Sequence, residues 1–224
     1  MRKFMLFLLL LPILFACSKE GSKIERYTVY DKVIDHSKPL AMGDDRDVYV
    51  FCDSVDWQGL KPFIGSAIEQ QINIVYPEQY FNLVMADIKD VKRLSKFKNL
   101  VYIGNLESDL PVSIYMKSVL NQDFIKRVQQ TGGELFTSEN LNCCDQIVLF
   151  LLGKDAKSLQ KIGALQAENI FSLLLKRFTN RQGYYAYQGK VIDLSFFDNY
   201  PFSLKIPDTY RLYSNDKVGR FLCF

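Results

Sequence analysis

The hydrophobic and polar positions of this chain change rhythm several times, and each change marks an element. An apolar block from Phe4 to Ala16 gives way at Cys17 to a stretch, residues 18–45, that is rich in charge and holds Pro39 and Gly43. Only "RYTVYDKVI" in that stretch has a strand-like pattern, so it reads mostly as a spacer. From Asp47 the rhythm becomes regular. "DVYVFC" is a short β-rich run bounded by charge, the mark of a buried strand. In the following "DSVDWQGLKPFIGSAIEQQI", Trp57, Leu60, Ile64 and Ile68 recur at helical spacing. Asp53 or Ser54 is placed to cap that helix, and Pro62 sits near its first turn, where a missing N–H does least harm. "QYFNLVMAD" reads as a strand, "IKDVKRLSKF" as a short helix and "NLVYIGN" as a strand. "SDLPVSIYMKSVLNQDFIKRVQQTGG" reads as helix, broken near Asn121 and ended by Gly132-Gly133. "QIVLFLLG" is a further apolar strand. Gly163, Ala167, Ile170, Leu174 and Phe178 then carry a long helix from Asp155 to about Asn180, with Gly183 as its stop.

Apolar strands without strict alternation predict a sheet covered on both faces, and strands alternating with helices predict parallel neighbours. The expected fold class is therefore α/β: a three-layer domain with a mostly parallel sheet over residues 46–180. After Gly183 the texture shifts to short aromatic runs with Pro201 and Pro207 at turn-like intervals, which predicts a β-rich C-terminal segment, 181–224. The sequence stops on the apolar Phe221-Leu222-Cys223-Phe224, and an unpaired edge strand invites aggregation. Two expectations follow. Either 181–224 is the start of a truncated second domain, or the last strand tucks into the existing sheet.

At the other end, Met1-Arg2-Lys3 followed by the apolar block has the order of a secretory signal. A spanning helix needs roughly 20 apolar residues, and this block stops short of that. Leu14-Phe15-Ala16-Cys17 resembles the bacterial lipobox, although Phe15 is bulkier than that pattern's usual residue. On this reading residues 1–16 are a signal peptide and Cys17 is the lipidation site. Residues 17–45 are then the lipidated cysteine and a tether, about 90 Å long if fully stretched and about 30 Å as a coil. Several acyl chains, at about 0.8 kcal/mol per buried methylene, hold such a protein on a bilayer almost permanently. A plain secretory signal cut elsewhere and a short uncleaved anchor remain as alternatives. Ser18 resembles the outer-membrane sorting choice, and Lys19-Glu20 resembles a surface-export signal. The expected partners are membrane lipid, through acylated Cys17, and an envelope protein.

Composition narrows the chemistry. Of 28 basic residues Arg2 and Lys3 leave with the signal, so 26 face 25 acidic ones. Without a clustered basic excess the chain is not expected to bind nucleic acid. His36 is the single histidine, which removes a two-histidine metal site and argues against Ser-His or Cys-His catalysis. With Cys17 acylated, Cys52, Cys143, Cys144 and Cys223 remain, read as buried free thiols or a facultative disulfide. A bridge between neighbours is strained, and no metal donors lie at workable spacing. The chain has no Gly-rich phosphate loop, dinucleotide turn, nucleophile elbow or His-Glu-x-x-His helix, so no cofactor is expected. Ligands of open parallel sheets gather beyond the carboxyl ends of the strands. The residues placed there are Cys52, Asp53 and Ser54, then Asp87, then Asn105 and Glu107, then Lys154. If those strands are neighbours, Asp53, Asp87 and Glu107 form a candidate crevice for a hard cation or polar ligand. The alternative is that Asp53 caps a helix and the other two are solvated. Tyr184, Tyr185 and Tyr187 are a second candidate, as a contact surface or as packing against a sheet.

The order of features then resembles a known family. A lipobox, a strand running into "DSVDW" and a helix, "NLVYIGN", a long helix and "FSLKIPDTYRLY" resemble the bacterial lipoprotein family catalogued as domain of unknown function 4837, typical of Bacteroidetes-type envelopes. The resemblance spans the whole chain with loose motifs. It implies an envelope address and more chain after the "FSLKIP" strand, and it carries no catalytic or binding residues with it. The expected function is a lipid-anchored cell-envelope protein serving as a non-enzymatic binding or assembly module. The alternative is a carboxylate- or metal-dependent envelope hydrolase using Asp53, Asp87 and Glu107.

Overall fold

The computed structural model describes residues 37–224 apart from 74, 187–193, 203, 205, 208, 209, 217 and 220. Cys17, His36 and Tyr187 therefore lie outside the described residues. The described chain divides after Gln182 into two compact units.

In the first unit, strand β1 (Asp47–Cys52) runs into helix α1 (Ser54–Leu60). Pro62 offers no amide to the Gln58 carbonyl and its ring crowds that carbonyl, so the helix cannot continue in α form. It widens into a π-helical turn (Lys61–Gly65) and closes as α2 (Ser66–Ile68), so Pro62 lies inside the helical stretch and not near its first turn. A hairpin that the hydrophobic pattern does not announce follows, β2 (Gln71–Asn73) with β3 (Pro77–Gln79). Then come β4 (Asn82–Met85), a 3-10 turn (Ile88–Asp90), α3 (Val91–Leu94) and β5 (Asn99–Asn105). The stretch expected to break at Asn121 does so, giving α4 (Pro111–Val119) and α5 (Gln122–Thr131). Gly132, with φ +87°, takes the left-handed C-cap that glycine adopts without strain. After β6 (Gly133–Glu139) and β7 (Ile147–Gly153), helix α6 (Ala156–Ala186) runs past Gly183, the expected stop.

The five-stranded sheet has the order β4-β1-β5-β7-β6, with β4, β1, β5 and β7 parallel and β6 antiparallel to β7. The fold is α/β with a mostly parallel sheet covered on both faces, as the apolar strands require. One face packs Val48, Val50, Val101 and Leu149 against Leu60, Ile64 and Ile68 and against Ile170, Phe171 and Leu174 of α6. The other packs Phe51, Leu100, Tyr102, Val148 and Phe150 against Leu94 of α3, Val112 and Met116 of α4, and Val128 of α5. Strand register aligns Phe51, Tyr102, Phe150 and Phe136 in one row across four strands. The Phe51–Tyr102 and Tyr102–Phe150 rings stack at 4.6 and 5.2 Å. Cross-strand aromatic pairs of this kind fix register as well as adding contact.

The amino ends of the strands are closed by buried polar side chains. Arg181 of α6, fully buried, donates to Asp145 Oδ1 at 2.6 Å and to the Asp145 carbonyl at 3.1 Å. Asn99 Nδ2 donates to the carbonyls of Asp45 and Asp47, both at 3.0 Å. Gln146 Nε2 donates to the carbonyls of Ser95 and Phe97 at 2.8 and 2.7 Å. Residues 39–45, placed by composition in the spacer, are stitched here too: the Ala41 amide donates to Cys144, the Met42 amide to Lys96, and Lys98 pairs with Asp45.

In the second unit, 183–224, a 3-10 turn (Leu194–Phe197) precedes the antiparallel hairpin β8 (Ser214–Asp216) and β9 (Phe221–Cys223). The apolar last strand thus pairs with β8 and not with the main sheet. Rings of Phe196, Phe197, Tyr200, Phe202 and Phe224 pack together around buried Phe197.

Candidate functional site

The chain leaves β1 toward one face of the sheet, into α1, and leaves its neighbour β5 toward the other, into α4. Between two such exits an open α/β sheet has its natural crevice. Cys52 and Asp53 lie at the end of β1, and Asn105 ends β5.

Asp53 occupies the N-cap position of α1 with extended backbone, yet its carboxylate bonds no amide of α1. It reaches across the crevice instead. Oδ1 accepts from the Val112 amide and Oδ2 from the Ser113 amide, each at 3.3 Å, in the first turn of α4. The positive end of α4, where an anionic ligand would sit, is thus filled by the chain's own carboxylate. Ser113 is fully buried, and its hydroxyl accepts from the Asn105 amide at 3.1 Å. The buried Asn105 side chain turns the other way: its Nδ2 donates to Asp56 Oδ1 and Oδ2 at 3.3 and 3.2 Å. A close approach makes this possible. A Cβ on Gly104 would stand 2.7 Å from Ser113 Oγ and 3.1 Å from Met116 Sδ, so glycine lets α4 press onto β5.

Burial pushes the Asp56 carboxyl above the usual carboxylate range; the Asn105 hydrogen bond opposes this and the Asp53 charge adds to it. Burial also pushes the Cys52 thiol far up, with Asp56 and Asp53 in support, and its Sγ lies 3.5 Å from the Asp53 carbonyl. A thiol held neutral in this way is not a nucleophile at ordinary pH. At the rim, Lys117 Nζ donates to the carbonyls of Leu106 and Ser108 at 3.3 and 2.7 Å. The arrangement ties β1, α1, β5 and α4 together through donors and acceptors that meet one another.

The carboxylates singled out from sequence do not share one environment. Asp53 is in the crevice. Asp87 caps the 3-10 turn after β4, accepting the Lys89 amide at 2.9 Å, and faces solvent. Glu107 is exposed on the loop after β5. Among the described residues no group of three His, Cys, Asp or Glu side chains is placed to hold a metal ion. Asp56 and Ser113 complete the network, and sequence reasoning passed over both. Asp56 carried one usable signal, an acidic residue in the first turn of a helix. Cys143 and Cys144 are free and buried, and burial pushes the Cys143 thiol up, with Cys144 next. The rings of Tyr184 and Tyr185 meet edge-on at 5.4 Å.

A second concave feature lies at the β4 edge of the sheet. It is an open groove of about 440 Å³ between the π-helical turn and β4, lined by Trp57, Lys61, Pro62, Glu69, Leu83 and Met85.

No family model, no curated protein and no solved structure matches the chain. The family resemblance therefore rests on the residues quoted for it.

Proposed function

We propose that this chain is a lipid-anchored cell-envelope protein, acylated on Cys17 and held at the outer membrane, whose α/β domain works as a binding or assembly module and not as an enzyme. The observation that carries the non-enzymatic half is the crevice itself. Asp53, Asn105, Ser113 and Lys117 spend their hydrogen bonds on the protein, and the one thiol there is kept protonated by burial. The anchoring half is supported by the charge, length and break of residues 1–17. No described helix is long and apolar enough to cross a membrane. On this reading the anchor is the set of acyl chains on Cys17. The hydrolase alternative needs Asp53, Asp87 and Glu107 to act on one substrate, and it draws no support from their separate environments.

Growing the producing bacterium with labelled palmitate tests the anchor. The wild-type chain is expected to take up label and to fractionate with membranes. Cys17→Ser is expected to do neither. Label retained in Cys17→Ser, or an unlabelled wild-type chain in the soluble fraction, would overturn the reading.

A further inference from the structure

β4 is the outer strand of the sheet on its parallel side, and nothing in its sequence blunts it. Edge strands are ordinarily protected by lysine, proline, a bulge or a covering loop, because their free amides and carbonyls template another strand. The run Asn82-Leu83-Val84-Met85 has none of the first three, and Met85 is 44% exposed. The amides of Asn82 and Ala86 donate to Arg46 and Val50 on the β1 side. By alternation, the backbone groups of Leu83 and Met85 therefore point outward from the sheet.

We propose that this edge pairs antiparallel with β4 of a second copy of the chain, so that one sheet runs through both. The run is its own complement when inverted about Val84. Val84 then faces Val84, and Leu83 faces Met85 in both directions, so apolar side chains meet on both faces of the joined sheet. Leu83 and Met85 pair with Val48 and Val50 of β1, which puts them on the face that carries α1 and the groove.

Charge complementarity selects this occupant. The helical stretch 54–68 returns antiparallel to β4, which places exposed Glu69 at the amino end of β4 and exposed Lys61 toward its carboxyl end. Glu69 Oε1 accepts the outward Leu83 amide at 3.4 Å, a long bond that leaves it available for a better donor. Inverting a second copy about Val84 sets Lys61 of each chain opposite Glu69 of the other. Two oppositely signed pairs then flank the strand pair, and the Leu83 amides pass to the facing Met85 carbonyls. A parallel pairing through the same edge would turn the second copy over, placing its α1 on the opposite face of the joined sheet, so that Lys61 and Glu69 of the two chains would not meet and no charge pair would form. The contact is independent of acylation at Cys17 and stands or falls separately from it.

Register-specific cross-linking of the full chain in its own membranes tests the pairing, with exposed Cys223 replaced by serine to remove background. In a non-hydrogen-bonded antiparallel pair the facing Cα atoms lie about 4.5 Å apart, within reach of a disulfide. Val84→Cys is expected to give a dimer on oxidation that reduction returns to monomer, whereas Asn82→Cys, which faces Ala86, is not. Adding Lys61→Glu to Val84→Cys is expected to remove most of the dimer, and Lys61→Glu with Glu69→Lys to restore it. Equal cross-linking at 82 and 84 would overturn the proposal. So would no dimer from Val84→Cys, indifference to the charge changes, or an adduct to a protein of different mass.

Discussion

Asp53 turns away from the amides of its own helix and bonds two amides of α4, so its value lies in joining two elements. Replacing a capping carboxylate by alanine typically costs about 1 kcal/mol. Asp53→Ala is expected to lose that much or somewhat more in urea denaturation, because the Val112 and Ser113 amides are orphaned together. A neutral result would mean that solvent satisfies those amides and the cross-cap adds nothing. Asp56 supplies a test in pH. Its folded carboxyl is raised first by burial, so its favourable contribution is complete below the ordinary carboxylate range and is lost as pH rises through the raised value. Asp56→Asn has no proton to lose. Its denaturation midpoint should therefore gain on the wild type as pH rises from about 4, then hold a constant lead once wild-type Asp56 is ionised. A lead that shrinks with rising pH would contradict the assignment.

At the scale of elements, close approaches set the packing. A Cβ on Gly153, at the end of β7, would lie 2.6 Å from the Leu159 backbone, and backbone cannot swing aside as a side-chain tip can. Gly153→Ala is expected to push α6 off the strand end and to cost about 1–3 kcal/mol by thermal or chemical unfolding. A variant as stable as wild type would show that α6 is loosely seated. Strands β1, β5 and β7 were legible because each is an unbroken apolar run, and buried parallel strands have no other pattern. β6 escaped notice because Glu134, Thr137, Ser138 and Glu139 make it polar, as an outer strand can be. The helix end near Asn180 was misjudged for a different reason. Arg177 and Arg181 lie off the apolar stripe that marks the helix, yet both are buried, with Arg181 held by Asp145, a residue 36 positions away. Local periodicity carries no information about so distant a partner. The same limit hid the crevice: Asp53 was recognisable as a cap, but nothing local says which helix it caps.

At the scale of the α/β domain, and among the described residues, both ends of the parallel sheet are closed by the chain's own polar side chains, while β4 has no strand partner on its outer side and borders an open groove. On the proposed reading, a domain built in this way acts by contact at its edge and the residues at its strand ends serve the fold. The carboxylates of the crevice are the point at which that account is most exposed, because a hard cation is the ligand they would suit. The direct measurement is the melting temperature of the full chain titrated with calcium or magnesium at constant ionic strength. Binding to the native state raises the melting temperature in proportion to the logarithm of ligand excess. No cation-specific rise is predicted, for wild type or for Asp53→Asn. A saturable rise in the wild type that vanishes in Asp53→Asn would contradict the account.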